Sequence, residues 1–393
     1  MNTPNQNVSP TQDDAILKYR KEFSSSVERI HLNNAGVAPL SKTAMAIMEL
    51  WMQKFHEEGT LCIGQCIETI EKSRKDLATL LGAKETQLAF LTSASQAISQ
   101  VATGLDFNPG DEIITWDQEY PANFYPWRMA AEKAGAKLIL AKSGEHLATP
   151  VESLLKLVTP KTKAIAFSWV QFKNGAITDI RTVTDFARGK GIFVCADVIQ
   201  GVGLLPFDFQ SSGLDAACGG GHKWLTSTAG TGYLLLREEH IEKMRPIMSG
   251  ASTFNSPDVV LDLHSSPRSN IHRFEPGSAA FLQIFALGAM ARLIQQTGID
   301  RIAQEAEWHS RKLMHGLRER GYLIHSPHGA HHRGSIVNFS VGPDSHLKSN
   351  EEIEAKLHAR KVSFAKRPPG GIRLSPHAFN TADEIQEVLK VLI

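Results

Sequence analysis

The sequence predicts an α/β protein: a mostly parallel, seven-stranded sheet with helices on both faces, joined to a smaller α+β C-terminal domain. Three observations predict it. From about residue 87, short apolar runs alternate with helical periodicities, the pattern of parallel strands linked by crossover helices. Gly135 and Gly191 each follow a helical pattern just before an apolar run, where a residue free to take positive φ can end a helix. The 393 residues are 42% hydrophobic and 21% charged, enough for one large or two ordinary globular cores.

Taken in order, the opening M-N-T-P-N-Q-N-V-S-P-T-Q-D-D is polar and is expected to be a loose arm; it lacks the basic start and apolar core of a secretory signal. Residues Lys42–Glu57 and Glu68–Leu80 have the periodicity of long amphipathic helices. Strands follow near Gln87–Leu91, Glu112–Trp116, Lys137–Leu140, Lys163–Trp169, Ile192–Asp197, Ala216–Cys218 and Gly232–Leu236. Helices fall between them at Ser95–Thr103, Pro121–Ala134, Val151–Val158 and Val183–Gly189. Two more helices, Ala279–Thr297 and Ile302–Gly321, lead to strand Ser335–Val341, helix Asn350–Arg360, a Pro/Gly loop at Arg367–Gly371, strand Ile372–Ser375 and a last helix from Ala382. The division expected is an arm over 1–30 that packs with the small domain, a large domain over 31–285 and a small α+β domain over 286–393. No repeat or long linker separates them, so they should pack together.

Lys plus Arg total 42 and Asp plus Glu 41, so no global field favours nucleic acid or an anionic membrane. The apolar stretch Ala279–Leu293 is broken by Gln283 and Arg292 and falls short of the roughly 20 residues of a membrane span. Four cysteines, Cys62, Cys66, Cys195 and Cys218, form neither a disulfide framework nor a four-ligand zinc spacing, and a cytoplasmic setting is expected. His325, His328, His331 and His332 lack an accompanying carboxylate or cysteine, so a polar loop is preferred to a metal site and no metal is expected. Arg333 beside them is given no role.

The chemistry concentrates in C-A-D-V-I-Q-G (195–201) and D-A-A-C-G-G-G-H-K-W-L-T-S-T-A-G-T-G (215–232). Asp197 ends an apolar strand, where open α/β sheets place ligand-binding groups. Lys223 follows another strand in a Gly-rich loop between His222 and Trp224, a setting that can lower an amine's pKa and make it a nucleophile. The turn L-T-S-A-S-Q (91–96) joins a strand to a helix with small hydroxyl residues. Free N–H groups there make a phosphate seat aided by Ser93 or Ser95, and ordinary N-capping explains the same residues equally well. A phosphate seat, a carboxylate and a reactive lysine together suit one ligand, pyridoxal 5′-phosphate (PLP), which needs a lysine for its aldimine and an acid to keep its pyridine nitrogen protonated.

On these motifs the sequence resembles the class V group of fold-type I PLP enzymes, which includes cysteine desulfurases, selenocysteine lyases, isopenicillin N epimerase-like proteins and some aminotransferases. The resemblance runs from H-L-N-N-A-G-V-A-P-L (31–40) to R-L-S-P-H-A-F-N-T (373–381). It implies that Asp197 pairs with the pyridinium nitrogen, Gln200 bonds the ring hydroxyl, Lys223 carries the aldimine and His222 helps hold the phosphate with the turn Ser93, Ala94, Ser95 and Gln96. In E-Y-P-A-N-F-Y-P-W (119–127) the family's ring-stacking position falls on Tyr120. In R-F-E-P-G-S (273–278), Ser278 matches a residue that reaches the phosphate of a neighbouring subunit, implying a homodimer with shared active sites. Arg373 matches the clamp for a substrate α-carboxylate, and Asn34 is placed at the substrate site.

Departures from the pattern narrow the expectation. No cysteine lies beyond Cys218, whereas a desulfurase takes sulfur on a thiol in the C-terminal domain, so the chain is not expected to be a classical cysteine desulfurase. Cys195 and Cys218 are expected to be core thiols. Trp169 stands where desulfurases have Asn, implying a differently shaped substrate pocket, and the whole looks nearest the epimerase-like branch. The expectation is an enzyme on a small amino acid, working through an external aldimine and a Cα carbanion by transamination or β-elimination of the C–S lyase type. Epimerisation, for which Tyr120 and His377 are the nearest second acids, and a catalytically silent regulatory member are the alternatives. A nucleotide-binding Rossmann reading fails because G-V-G-L-L-P (201–206) breaks the glycine fingerprint.

Overall fold

Apolar runs covered on both faces build the central sheet, as parallel strands require. The computed structural model describes residues 13–23, 28–255, 264–329, 334–367 and 371–393. Its strands are β1 (Ile30–His31), β2 (Leu88–Leu91), β3 (Glu112–Trp116), β4 (Lys137–Ala141), β5 (Thr162–Ser168), β6 (Phe193–Asp197), β7 (Ala216–Gly220), β8 (Gly232–Leu236), β9 (Leu323–Ile324), β10 (Val337–Ser340), β11 (Val362–Ser363), β12 (Ala365–Arg367) and β13 (Gly371–Leu374). The large sheet has seven strands in the order β2-β8-β7-β6-β5-β3-β4. Only β8 runs opposite to the other six strands.

Successive residues of each strand feed opposite cores. Val194 and Ala196 face a layer with Ile284 and Leu287 of helix Phe281–Thr297. Phe193 and Cys195 face Ile98 and Val101 of helix Ala94–Gly104 and Trp127 of helix Pro121–Ala134. Cys195 and Cys218 are both buried there. Pairings Ser168↔Asp197, Asp197↔Cys218, Gly220↔Gly232 and Leu91↔Gly232 bring the ends of β2, β5, β6 and β7 to one rim. That rim is where open α/β sheets bind ligands.

The helix boundaries follow their caps. Helix Pro121–Ala134 begins with proline in its first turn and ends at Gly135, whose φ of 68° is left-handed, as predicted. Helix Ile180–Ala187 starts three residues before the expected Val183 because the Asp179 side chain accepts from Thr182 N.

Beyond the large sheet, β12-β13-β10-β9 form a four-stranded sheet over a separate core containing Leu313, Phe339, Ile353 and Ile385. The boundary read at 285/286 falls inside helix Phe281–Thr297, which packs on helices Lys42–Glu58 and Ile63–Leu80. Among the described residues no helix is long and apolar enough to cross a membrane.

Of the opening segment expected to be a loose arm, residues 1–12 lie outside the described residues, which begin at Asp13. Asp14–Lys21 is a helix capped by Asp13, with Ile16 and Tyr19 buried. Arg20 donates to the carbonyls of Phe379 and Asn380 and pairs with Glu305 at 3.3 Å. An eight-residue helix is too short to persist on propensity and is held by such tertiary contacts.

Candidate active site

The loop from β7 to β8 presents Lys223 at the rim. Gly221 N donates to Thr231 O, Ser227 N to Gly221 O and Thr226 N to Lys223 O, so the loop closes on itself behind the amine. Lys223 is 8% exposed. Burial pulls its amine down to about 8, with Arg373 and Arg367 lowering it further and Asp197 pulling the other way. Asp197, at the end of β6, is 3% exposed. Burial raises its carboxyl, while the Ile199 N–H bond at 3.0 Å and the Lys223 charge oppose the rise. The Lys223 Nζ lies over the Tyr120 ring, 5.5 Å from its centroid. Tyr120 is partly exposed and packs edge-on against Phe172 at 5.0 Å.

The turn after β2 is built for close approach. A Cβ on Gly232 would lie 2.3 Å from the Ser93 carbonyl carbon, so only glycine lets the two backbones meet. Ser93 Oγ caps the helix, accepting from Gln96 N at 3.1 Å. Gln96 Oε1 in turn accepts from Thr92 N and Oγ1. The capping reading of Ser93 therefore holds. The N–H groups of Ala94 and Ser95 are first-turn donors without intrahelical acceptors, and the Ser95 hydroxyl is exposed beside them. His222 precedes the lysine with its imidazole neutral, its pKa lowered to about 4 by burial and the Lys223 charge.

Arg373, on β13, is fully buried. It donates to Phe172 O at 2.8 Å and Asn33 Oδ1 at 3.0 Å, and its Nε has no partner. Burial, then Arg367, pulls its guanidinium down to about 9, and no carboxylate among the described residues pairs with it. Asn34 turns the other way, donating to Ser375 O at 2.8 Å, so Asn33 is the asparagine of this turn that meets Arg373. Gln200 accepts from Trp224 Nε1 and donates to Ala35 O, which leaves one amide N–H to offer. Trp169 packs on Phe207 and lies against Gly201, where a Cβ would sit 2.2 Å from its ring. His377 is fully buried, bonded to Trp224 O and pulled down to about 4 by burial, which withdraws it as an acid. Ser278 is exposed ahead of helix Phe281–Thr297.

His325 bonds Ser340 Oγ and His328 meets Arg318; His331, His332 and Arg333 lie outside the described residues. Sequence reasoning passed over Asn33, Arg367 and Glu119. Arg367, over the Phe172 ring at 5.7 Å, sat in the Pro/Gly loop already noted. Nothing in the sequence signals Glu119.

A model of the family described as "Aminotransferase class-V" matches residues 30–388. The chain belongs to that family. Within the aminotransferase class-V family it is 24% identical over 387 residues to a "Probable cysteine desulfurase" of Pyrococcus abyssi, covering 95% of this chain and 96% of the relative. The apo cysteine desulfurase of Thermococcus onnurineus NA1 superposes with a TM-score of 0.87 at 24% identity, covering 95% and 96%. The cystine C–S lyase C-DES, solved with its reaction product cysteine persulfide, superposes at 0.82 with 22% identity, covering 92% and 96%. A lysine mutant of C-DES has glycine covalently linked to its PLP cofactor. These likenesses establish a fold-type I PLP-enzyme architecture. They give no support to excluding cysteine desulfurase activity, the name several relatives carry.

The residues present fit PLP. A buried amine of lowered pKa, a buried carboxylate at a strand end, uncommitted helix N-terminal donors and an aromatic face are the groups that its aldehyde, ring nitrogen, phosphate and ring require.

Proposed function

We propose that this aminotransferase class-V protein is a PLP enzyme that removes the Cα proton of an amino acid, most favourably one bearing a sulfur leaving group at Cβ, and releases its product by β-elimination. The observation that carries the reading is one rim holding a buried amine near pH 8, a buried carboxylate and a buried guanidinium with no carboxylate partner among the described residues. When bound, the cofactor supplies an electron sink for the pair left on Cα.

The chain supplies the rest. At neutral pH part of Lys223 is uncharged and can take the Cα proton onto Nζ. Asp197 would hold a proton on a ring nitrogen. Arg373 offers a fork for the α-carboxylate, and Arg367 adds a second positive charge that suits a second carboxylate, as in cystine. Tyr120 and Phe172 cover the site with aromatic surface and exclude water. Because His377 is neutral and turned to Trp224 O, epimerisation lacks that second acid. Transamination, which needs only Lys223 as base, is the second reading.

The decisive experiment supplies L-cystine, cysteine and L-alanine to the holoprotein and assays pyruvate, ammonia, sulfur products and keto acid together. Pyruvate with ammonia supports elimination; keto acid with retained amino group supports transamination; an opposite enantiomer without either rejects both.

The active unit is proposed to be a homodimer in which Ser278 serves the partner's phosphate. Support comes from the exposure of Ser278 and of the apolar Leu50, Leu61 and Ile67 at 61%, 82% and 56%. A fully active monomer in sedimentation at assay concentration rejects this.

A further inference from the structure

Glu119 lies on the loop from β3 to helix Pro121–Ala134, with its carboxylate buried. It accepts four hydrogen bonds: from Ser168 N at 2.8 Å, Gln171 Nε2 at 2.9 Å, Asn123 Nδ2 at 3.0 Å and the Ser168 hydroxyl. These donors come from the end of β5, the segment after it and the first turn of the helix. All are neutral, and no cation among the described residues is paired with Glu119. Burial raises its carboxyl to about 7 despite the four donors. A charge held this way is costly, and an apolar filling would secure the same packing without it.

What the carboxylate joins explains its presence. One residue after Glu119 is Tyr120, whose ring lies 5.5 Å from Lys223 Nζ. One residue after its partner Gln171 is Phe172, which packs on Tyr120 and whose carbonyl accepts from Arg373. We propose that Glu119 is a positioning residue: its carboxylate locks the Tyr120 segment to the Phe172 segment, and so registers the aromatic face over Lys223 with the carbonyl that holds Arg373. The inference rests on the proposed roles of Tyr120 and Arg373. Glutamine in its place keeps the shape but turns an N–H₂ toward donors, so the clasp opens.

The test reads Lys223 in cofactor-free protein, by reductive methylation across pH with peptide mapping, and PLP affinity by absorbance. In Glu119→Gln, water reaching Lys223 is expected to raise its midpoint by about half a pH unit or more, because burial is the main cause of its depression. PLP affinity is expected to fall about tenfold, which is roughly 1.4 kcal/mol. In a Tyr120→Leu background the same substitution should change either quantity by less than about twofold, because the ring it places is gone. Ser168→Ala, which removes one of the donors and leaves the charge, should shift both quantities less and in the same direction, and serves alone if Glu119→Gln does not fold. An unmoved Lys223 midpoint in the folded variants, or a full effect persisting without Tyr120, overturns the proposal. Failure of the unsubstituted protein to bind PLP rejects the proposed function instead, and the Lys223 midpoint then still decides the clasp.

Discussion

Replacing Arg373 by methionine separates a guanidinium kept for a ligand from one kept for stability. Burial and Arg367 bring Arg373 down from the ordinary guanidinium range to about 9, which corresponds to about 5 kcal/mol at roughly 1.4 kcal/mol per pH unit. Below that pH the group is charged in folded and unfolded chains alike, so the penalty is present in full at neutrality. Methionine removes it and leaves Phe172 O and Asn33 Oδ1 without their donor, at about 1–3 kcal/mol each. The two changes nearly cancel. Arg373→Met should therefore be within about 1 kcal/mol of the natural protein in denaturant unfolding at pH 7.5, whereas breaking a buried ion pair costs about 3–5 kcal/mol. The ligand side is tested with 2-aminoisobutyrate, an amino acid without a Cα proton, added to the holoprotein. At a hundred times its dissociation constant it should stabilise the natural protein by about 2.7 kcal/mol and leave the variant unmoved at the same concentration. A loss of 3 kcal/mol or more in the variant without ligand would refute the reasoning, because it would reveal a structural partner for the guanidinium.

Borohydride reduction of the holoprotein and peptide mapping should place the pyridoxyl group on Lys223, and a tag on another lysine rejects its role. Asp197→Asn removes the charge that raises the Lys223 amine, so in cofactor-free protein Lys223 should titrate below about 8; a midpoint at or above that value contradicts their coupling. Although burial opposes its ionisation, Glu275 is held below its ordinary 4.5 by His272 and Arg74. Its stabilising contribution is thus present above that pH and lost as pH falls through the lower folded value. Glu275→Gln should cost about 3 kcal/mol or more near neutrality and flatten the acid limb of the stability curve, measured by unfolding between pH 3 and 7.

The large sheet was legible because its strands are buried on both faces, which writes them as uninterrupted apolar runs such as F-V-C-A-D over β6. Lys223, Asp197 and the 93–96 turn stand out as candidates because their residue types fall at strand ends and glycine turns, which the sequence marks locally. The helix at Asp14–Lys21 was not, since Arg20 gains its partners more than 350 residues away. The same holds for Asn33 against Asn34: adjacent identical residues carry no mark of which one faces Arg373. Glu119 was read only as part of a motif, and its role lies in donors 49 and 52 positions further on. Ser93 fits both a cap and a phosphate ligand, and its oxygen accepts from Gln96 N as a cap does while its O–H is left to donate.

Strand β1 runs beside β11, Asn33 bridges Ser375, and Arg373 reaches Asn33 across 340 residues. During synthesis at about 5–20 residues per second, Asn33 leaves the ribosome roughly 20–70 s before the arginine it will meet. The turn at Asn33 must spend that interval without the arginine, and the two meet only after β13 has been made. A nascent chain stalled before β13 can therefore hold the Lys223 side of the candidate site without Arg373. Truncation ahead of β11 removes the arginine and, with it, the partner strand of β1.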